Sequence, residues 1–102
     1  MNGLSRPPVW RLAPAIVSRR IAGEHLLVPV RHGAAEMDFI YTVNATGSLV
    51  CDLLDGARSA EELAAAVGAA YGIRAERARE DVGDFLEALR AAGLALAEDP
   101  AS

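Results

Sequence analysis

Lysine is absent from this 102-residue chain, and every one of its ten basic residues is arginine. Together with the abundant alanine, this reads as codon bias rather than function. Cysteine occurs once, at Cys51, so no intramolecular disulfide can form and a secreted cystine scaffold is excluded. No apolar run approaches the roughly 20 residues a membrane-spanning helix needs. The segment Met1–Pro8 lacks the continuous apolar core of a signal peptide. What is present is hydrophobic: 52% of the chain, too much for intrinsic disorder and enough for a core without metal or disulfide staples. The length suits one domain. The expectation is a small cytoplasmic protein with no membrane partner.

Charge is unevenly spread. Residues 1–31 carry five arginines against one acid, Glu24, whereas residues 32–102 carry five arginines against thirteen acids, within a net charge of −4. A nucleic-acid surface would therefore have to lie in the first third. A solvated basic strand pair explains the same residues more simply.

The pattern predicts strands first and helices after. Residues 1–15 hold three of the five prolines and no periodic pattern, and read as an irregular arm that Trp10 could anchor. Ile16–Ile21 is a strand, and Ala22-Gly23 falls where a tight hairpin turn would. His25–Arg31 follows, with Leu26, Val28 and Val30 on one face and Leu27 on the other. After a loop at 32–35, Met37–Val43 is a third strand whose odd positions Met37, Phe39, Tyr41 and Val43 share a face. The period then changes to that of a helix. Asn44 or Thr46 can cap a first helix with Leu49, Val50, Leu53 and Leu54 apolar and Gly56 as its stop. Ser59 and Glu62 form a capping box for a second helix, with Leu63, Ala66, Val67, Ala70 and Tyr71 as its stripe. A third helix runs from about Ala75 to Ala92, turning Ala78, Val82, Phe85, Leu86 and Leu89 inward, with Gly93 as its stop. Residues 94–96 form a short last strand or a packed tail. The fold class is α+β: a three-stranded antiparallel sheet followed by three helices, spanning 16–96, with a tail at 97–102.

Little in the chain points to catalysis. His25 and His32 have no further His or Cys at metal-ligand spacing, so no metal site and no cofactor are expected. Cys51 lies among helical apolar positions and reads as packing rather than as a nucleophile. Five acids on the third helix could suggest a cation site. However, Arg77 and Asp81 pair at i, i+4 and Glu87 and Arg90 at i, i+3, as a solvated helix face does. The glycines punctuate helices and form no phosphate loop.

Two binding classes remain. A winged helix that reads DNA needs basic side chains on the helix entering the groove, because phosphate neutralisation supplies most of the affinity. Residues 59–71 have none, and the third helix is acidic. A module that binds an extended peptide instead needs an open sheet edge, which offers unpaired N–H and C=O groups. The strand around Phe39 and Tyr41, ending at a helix cap, fits that use, and both aromatics fit a core role equally well.

The series Tyr41-Thr42-Val43-Asn44-Ala45-Thr46-Gly47, then Leu53-Leu54-Asp55-Gly56, resembles the PqqD family, named for coenzyme pyrroloquinoline quinone synthesis protein D. It continues through Arg58-Ser59, Glu62-Leu63, Tyr71-Gly72, Asp81-Val82, Phe85-Leu86, Leu89 and Gly93-Leu94. Upstream, Ala22-Gly23-Glu24 and Leu27-Val28-Pro29-Val30-Arg31 match one branch. Two positions depart from the family pattern: Cys51, where a tryptophan or another large residue is usual, and Val43, where leucine is usual. The resemblance implies a winged-helix-like peptide recognition element. Such a domain binds the leader of a ribosomally made precursor and presents its core to a modifying enzyme, often a radical SAM protein. It implies main-chain pairing along Asp38, Phe39, Ile40, Tyr41 and Thr42 and a groove against the third helix. Helix geometry puts Arg77, Asp81, Asp84, Phe85 and Ala88 on the groove side, with Phe85 equally suited to the core. The expected function is a leader-peptide chaperone without catalysis of its own. A winged-helix DNA-binding regulator is the alternative, as is an adaptor that has lost its peptide function. The state is expected to be a monomer, or a dimer paired through the exposed edge.

Overall fold

The computed structural model describes residues 6–30 and 41–100. In chain order the elements are β1 (Val9–Leu12), β2 (Ile16–Ile21), β3 (Glu24–Pro29), β4 (Tyr41–Val43), α1 (Ala45–Asp52), β5 (Asp55–Ser59), α2 (Ala60–Tyr71), α3 (Ala75–Ala91) and β6 (Ala95–Glu98). They form two antiparallel three-stranded sheets, ordered β2-β3-β4 and β5-β1-β6, around three helices. The α+β class holds, and the first sheet is the one expected ahead of the helices. The second sheet was not expected.

The β2–β3 hairpin is a local structure and forms where its residues predict. Ala22 and Gly23 both sit at positive φ (53° and 83°) between the paired Ile21 and Glu24. Two such residues make the mirror-image turn whose twist matches the flanking strands. Alanine in that region costs about 1–2 kcal/mol, which the six-residue ladder absorbs. The buried face of β3 is the opposite of the one its apolar alternation suggests. Leu27 and His25 are buried, Leu26 and Val28 are half-buried on the outer face, and Val30 is 53% exposed. Alternation fixes two faces but not which one meets the core. Register then places Val43 opposite His25 and Tyr41 opposite Leu27, so both odd positions of β4 turn inward. The remainder of the expected third strand, including Met37, Asp38, Phe39 and Ile40, lies outside the described residues.

Asn44 is the cap of α1, its side chain accepting from Gly47 N–H at 2.8 Å. The helix ends at Asp52, well before Gly56, which lies in β5 instead. Asp55 breaks the helical path: its carboxylate accepts from Ala57 N–H at 3.0 Å and from Arg58 at 2.6 Å, turning the chain into a strand that pairs with β1. The capping box at Ser59 and Glu62 forms as expected. The buried stripe of α2 is Leu63, Ala64 and Val67, however, and Ala70 and Tyr71 are exposed. Gly68 packs at the turn into α3, where an added Cβ would lie 3.4 Å from the Ile73 carbonyl oxygen and 3.8 Å from the Ala78 Cβ. In α3, Ala78, Val82, Leu86 and Leu89 are buried and Phe85 is half-buried. Its end is closed by Gly93 at φ 78°, with Leu94 N–H donating to Leu89 O and Gly93 N–H to Arg90 O. This double bond pattern satisfies carbonyls the helix would leave free.

Residues 1–15 are not an irregular arm throughout. Val9–Leu12 is the central strand of the second sheet, flanked by β5 and β6, and Trp10 and Leu12 pack against the core. Pro8 and Pro14 bracket the strand without interrupting its ladder. The C-terminal tail is likewise shorter than expected, since Ala97 and Glu98 belong to β6. The core joins both sheets and all three helices through Leu27, Val50, Leu63, Val67, Val82, Leu86, Leu89, Leu94 and, from β6, Ala95, each less than 2% exposed. Burying such a side chain contributes about 1.5–3 kcal/mol relative to exposure.

Candidate functional site

β4 is an edge strand. Among the described residues it pairs only with β3, so its other side offers free backbone donors and acceptors. One residue beyond Val43, Asn44 caps α1, so the strand runs directly into a helix start. The first turn of α1 packs against α3. A side chain at position 47 would put its Cβ 2.9 Å from the tip of the Phe85 ring, so glycine is what admits the ring there.

Beside this contact lies a cavity of about 280 Å³ lined by Asn44, Thr46, Gly47, Val50, Asp81, Val82, Asp84 and Phe85. Its floor is apolar and its charged lining residues are both acidic. Arg77 Nε donates to the Asp81 carboxylate at 3.2 Å, whereas Asp84 has no ion pair among the described residues. Of the residues expected on the groove side of the third helix, Asp81, Asp84 and Phe85 come together here. Arg77 reaches the site only through Asp81, and Ala88 is exposed one turn further on, outside the cavity lining. Tyr41 is half-buried and Thr42 exposed on β4. Asp38, Phe39 and Ile40 lie outside the described residues. Sequence reasoning missed Asn44, Thr46, Gly47, Val50 and Val82 as lining. A glycine in a helical turn, at a cost of about 0.5–1 kcal/mol relative to alanine, was the available signal of a close approach.

A second cavity of about 530 Å³ opens between the hairpin and α1, with Arg20, His25, Ser48, Asp52 and Tyr71 among its lining. Here Arg20 donates to Ser48 Oγ at 2.9 Å and to Asp52 at 2.7 Å, Ser48 Oγ lies 2.6 Å from His25 Nδ1, and Ser18 meets His25 Nε2. A neutral imidazole has one donor and one acceptor nitrogen. With Ser48 Oγ accepting from Arg20, its hydroxyl is free to donate to Nδ1, and Nε2–H then donates to Ser18. Burial, then the Arg20 charge, lowers the His25 pKa below its ordinary value, against an upward pull from Asp52. The Ser48 backbone N–H is committed to Asn44 O at 2.7 Å, and Ser18 stands where a catalytic triad has a carboxylate. The network ties β2 and β3 to α1. Cys51 is buried beside it, with its thiol pKa pushed up to about 12 by burial and by Asp52. Among the described residues no cluster of His, Cys, Asp and Glu could hold a metal ion, and no helix is long and apolar enough to cross a membrane.

The fold resembles solved structures. One solved structure, described as lasso peptide synthetase B1 complexed with the leader peptide, superposes with a TM-score of 0.68 at 26% identity, over 85% of this chain and 96% of that one. A second, TbiB1 in complex with the TbiA(beta) leader peptide, gives a TM-score of 0.65 at 28% identity, over 82% and 93%. No curated protein matches the sequence significantly. Residues 24–95 match the family described as Coenzyme PQQ synthesis protein D, and on that match, covering most of its length, the chain belongs to the PqqD family.

Proposed function

We propose that the protein binds the leader segment of a ribosomally made precursor peptide and presents the rest of that peptide to a modifying enzyme. The leader adds as a strand to the open side of β4. Asp38, Phe39, Ile40, Tyr41 and Thr42 supply the main-chain pairing, and Asp81, Asp84 and Phe85 form the facing wall, with Arg77 and Ala88 flanking it. Main-chain hydrogen bonds give affinity with little regard to sequence, and side chains entering the wall give selectivity. The protein carries no chemistry of its own in this scheme; the reaction belongs to the partner, in this family often a radical SAM enzyme. One observation carries the reading: an edge strand runs into a helix cap beside a cavity of mixed polar and apolar lining between α1 and α3, in a chain whose solved structural relatives are described in complex with leader peptides.

The test is an amide NMR titration of the labelled protein with leader peptides from short reading frames beside its gene. Saturable shifts are expected on Tyr41–Val43, on Gly47 and on residues 81–85. Shifts confined to residues 6–30 would overturn the assignment of the groove, and no shifts with any leader would overturn the function. Ile40→Pro, which deletes a backbone donor at the expected strand, should abolish binding. A folded Ile40→Pro protein that binds normally would rule out strand addition.

A further inference from the structure

We propose that the cavity between α1 and α3 takes a basic side chain, arginine or lysine, of the bound peptide. This rests on the reading of β4 and α3 as the peptide groove and specifies which peptides it accepts. At about 280 Å³ the cavity falls just below the usual range for small-molecule sites, a size suited to a side chain entering from a neighbouring strand. Its inner surface is Val50, Val82 and the Phe85 ring, against which the apolar stem of a long side chain can lie while its charged head stays at the mouth. The aromatic ring attracts a cation placed over its face.

Charge selects the head group. Among the described residues, Asp81 and Asp84 are the only charged ones lining the cavity. Asp81 is already held by Arg77, but Asp84 makes no ion pair among the described residues, so an entering cation finds an unpaired acceptor. A glutamate or aspartate entering the same space would meet two carboxylates and no lining cation. Repulsion against the wrong side chain discriminates as much as attraction to the right one. The cavity adjoins the end of β4 at Asn44, so the side chain comes from the strand-added peptide itself, without a separate ligand.

The probe is N-acetyl-arginine N-methylamide against its citrulline counterpart, titrated at low ionic strength into the labelled full-length protein. The arginine fragment should give saturable shifts at Gly47, Val82 and Phe85, the citrulline fragment none, and Asp84→Asn should remove the difference. Equal responses to the two fragments, or an unchanged response in Asp84→Asn, would overturn the proposal. In a leader that binds, replacing the basic residue by citrulline should weaken affinity about threefold to thirtyfold, the combined scale of an exposed ion pair and a cation over an aromatic ring. A leader that shifts Tyr41–Val43 without any such dependence overturns the basic pocket and leaves the groove standing. A charge-selective fragment response with no leader response keeps the pocket and overturns the leader reading.

Discussion

His25 is 3% exposed and hydrogen-bonded through both ring nitrogens to serine hydroxyls, one on β2 and one on α1. The charged groups facing it are Arg20 from β2 and Asp52 from α1, and burial together with Arg20 outweighs Asp52, so its pKa lies below the ordinary 6.5. In the unfolded chain the same ring titrates near about 6.5. Between the two values the unfolded state binds a proton that the folded state does not, so stability rises with pH across that window. The contribution is complete above about pH 6.5 and is lost as the pH falls towards the folded pKa, below which both states are protonated. Urea midpoints should therefore fall between pH 7 and pH 5, and His25→Gln should flatten that slope. A wild-type protein with constant stability across the window would contradict a neutral, buried imidazole. Asp55 does not confuse the measurement. The Ala57 N–H and Arg58 hold its pKa below 3.8, so its contribution is present above that value and is lost only in stronger acid.

At the scale of elements, the contact between α1 and α3 turns on Gly47. Alanine there would favour the helix by about 0.5–1 kcal/mol, but its Cβ would press on the Phe85 ring, and overpacking costs about 1–3 kcal/mol. The ring tip is the far end of a half-buried side chain, so it can leave its seat. That keeps the overpacking cost near its lower end of about 1 kcal/mol, so Gly47→Ala should shift the thermal midpoint by less than about 8 °C while clearly weakening peptide binding as the groove wall moves. Unaltered affinity in that variant would remove Phe85 from the wall. The same contact shows where reading the chain from its sequence succeeds and where it stops. The hairpin at Ala22-Gly23, the Ser59–Glu62 box and the inward face of α3 depend on residues within a turn of one another, so their spacing is sufficient. Asp81, Asp84 and Phe85 share a face for the same reason. Their meeting with Asn44, Gly47 and Val50 is set by how two helices cross, which no local spacing encodes. The strand at Val9–Leu12 is hidden for a related reason: four residues become a strand only because β5 and β6, far along the chain, supply both ladders. Gly56 misled the reading of α1 because β5 needed β1 to exist.

For the whole molecule, folding neutralises part of the basic first third. Arg11 pairs with Glu98 and Arg20 with Asp52, each at 2.7 Å, joining the basic segment to acids from the other end of the chain and from α1. A net charge of −4 and an acidic α3 repel a phosphate backbone, which counts against the DNA-reading alternative. A leader-binding module can accelerate a partner's reaction by bringing the two reactants together. If it holds the leader in its groove and the enzyme elsewhere, the core peptide meets the enzyme at an effective concentration of up to about millimolar for a short flexible connection. That effect has a kinetic signature. At micromolar precursor, the protein should raise the rate of modification of the full precursor and leave a leaderless core peptide unaffected. The enhancement should shrink as the precursor approaches about millimolar, where free encounter matches the tethered one. Equal enhancement of the leaderless core would instead mean that the protein activates the enzyme directly, and the groove beside β4 would then have no part in the rate.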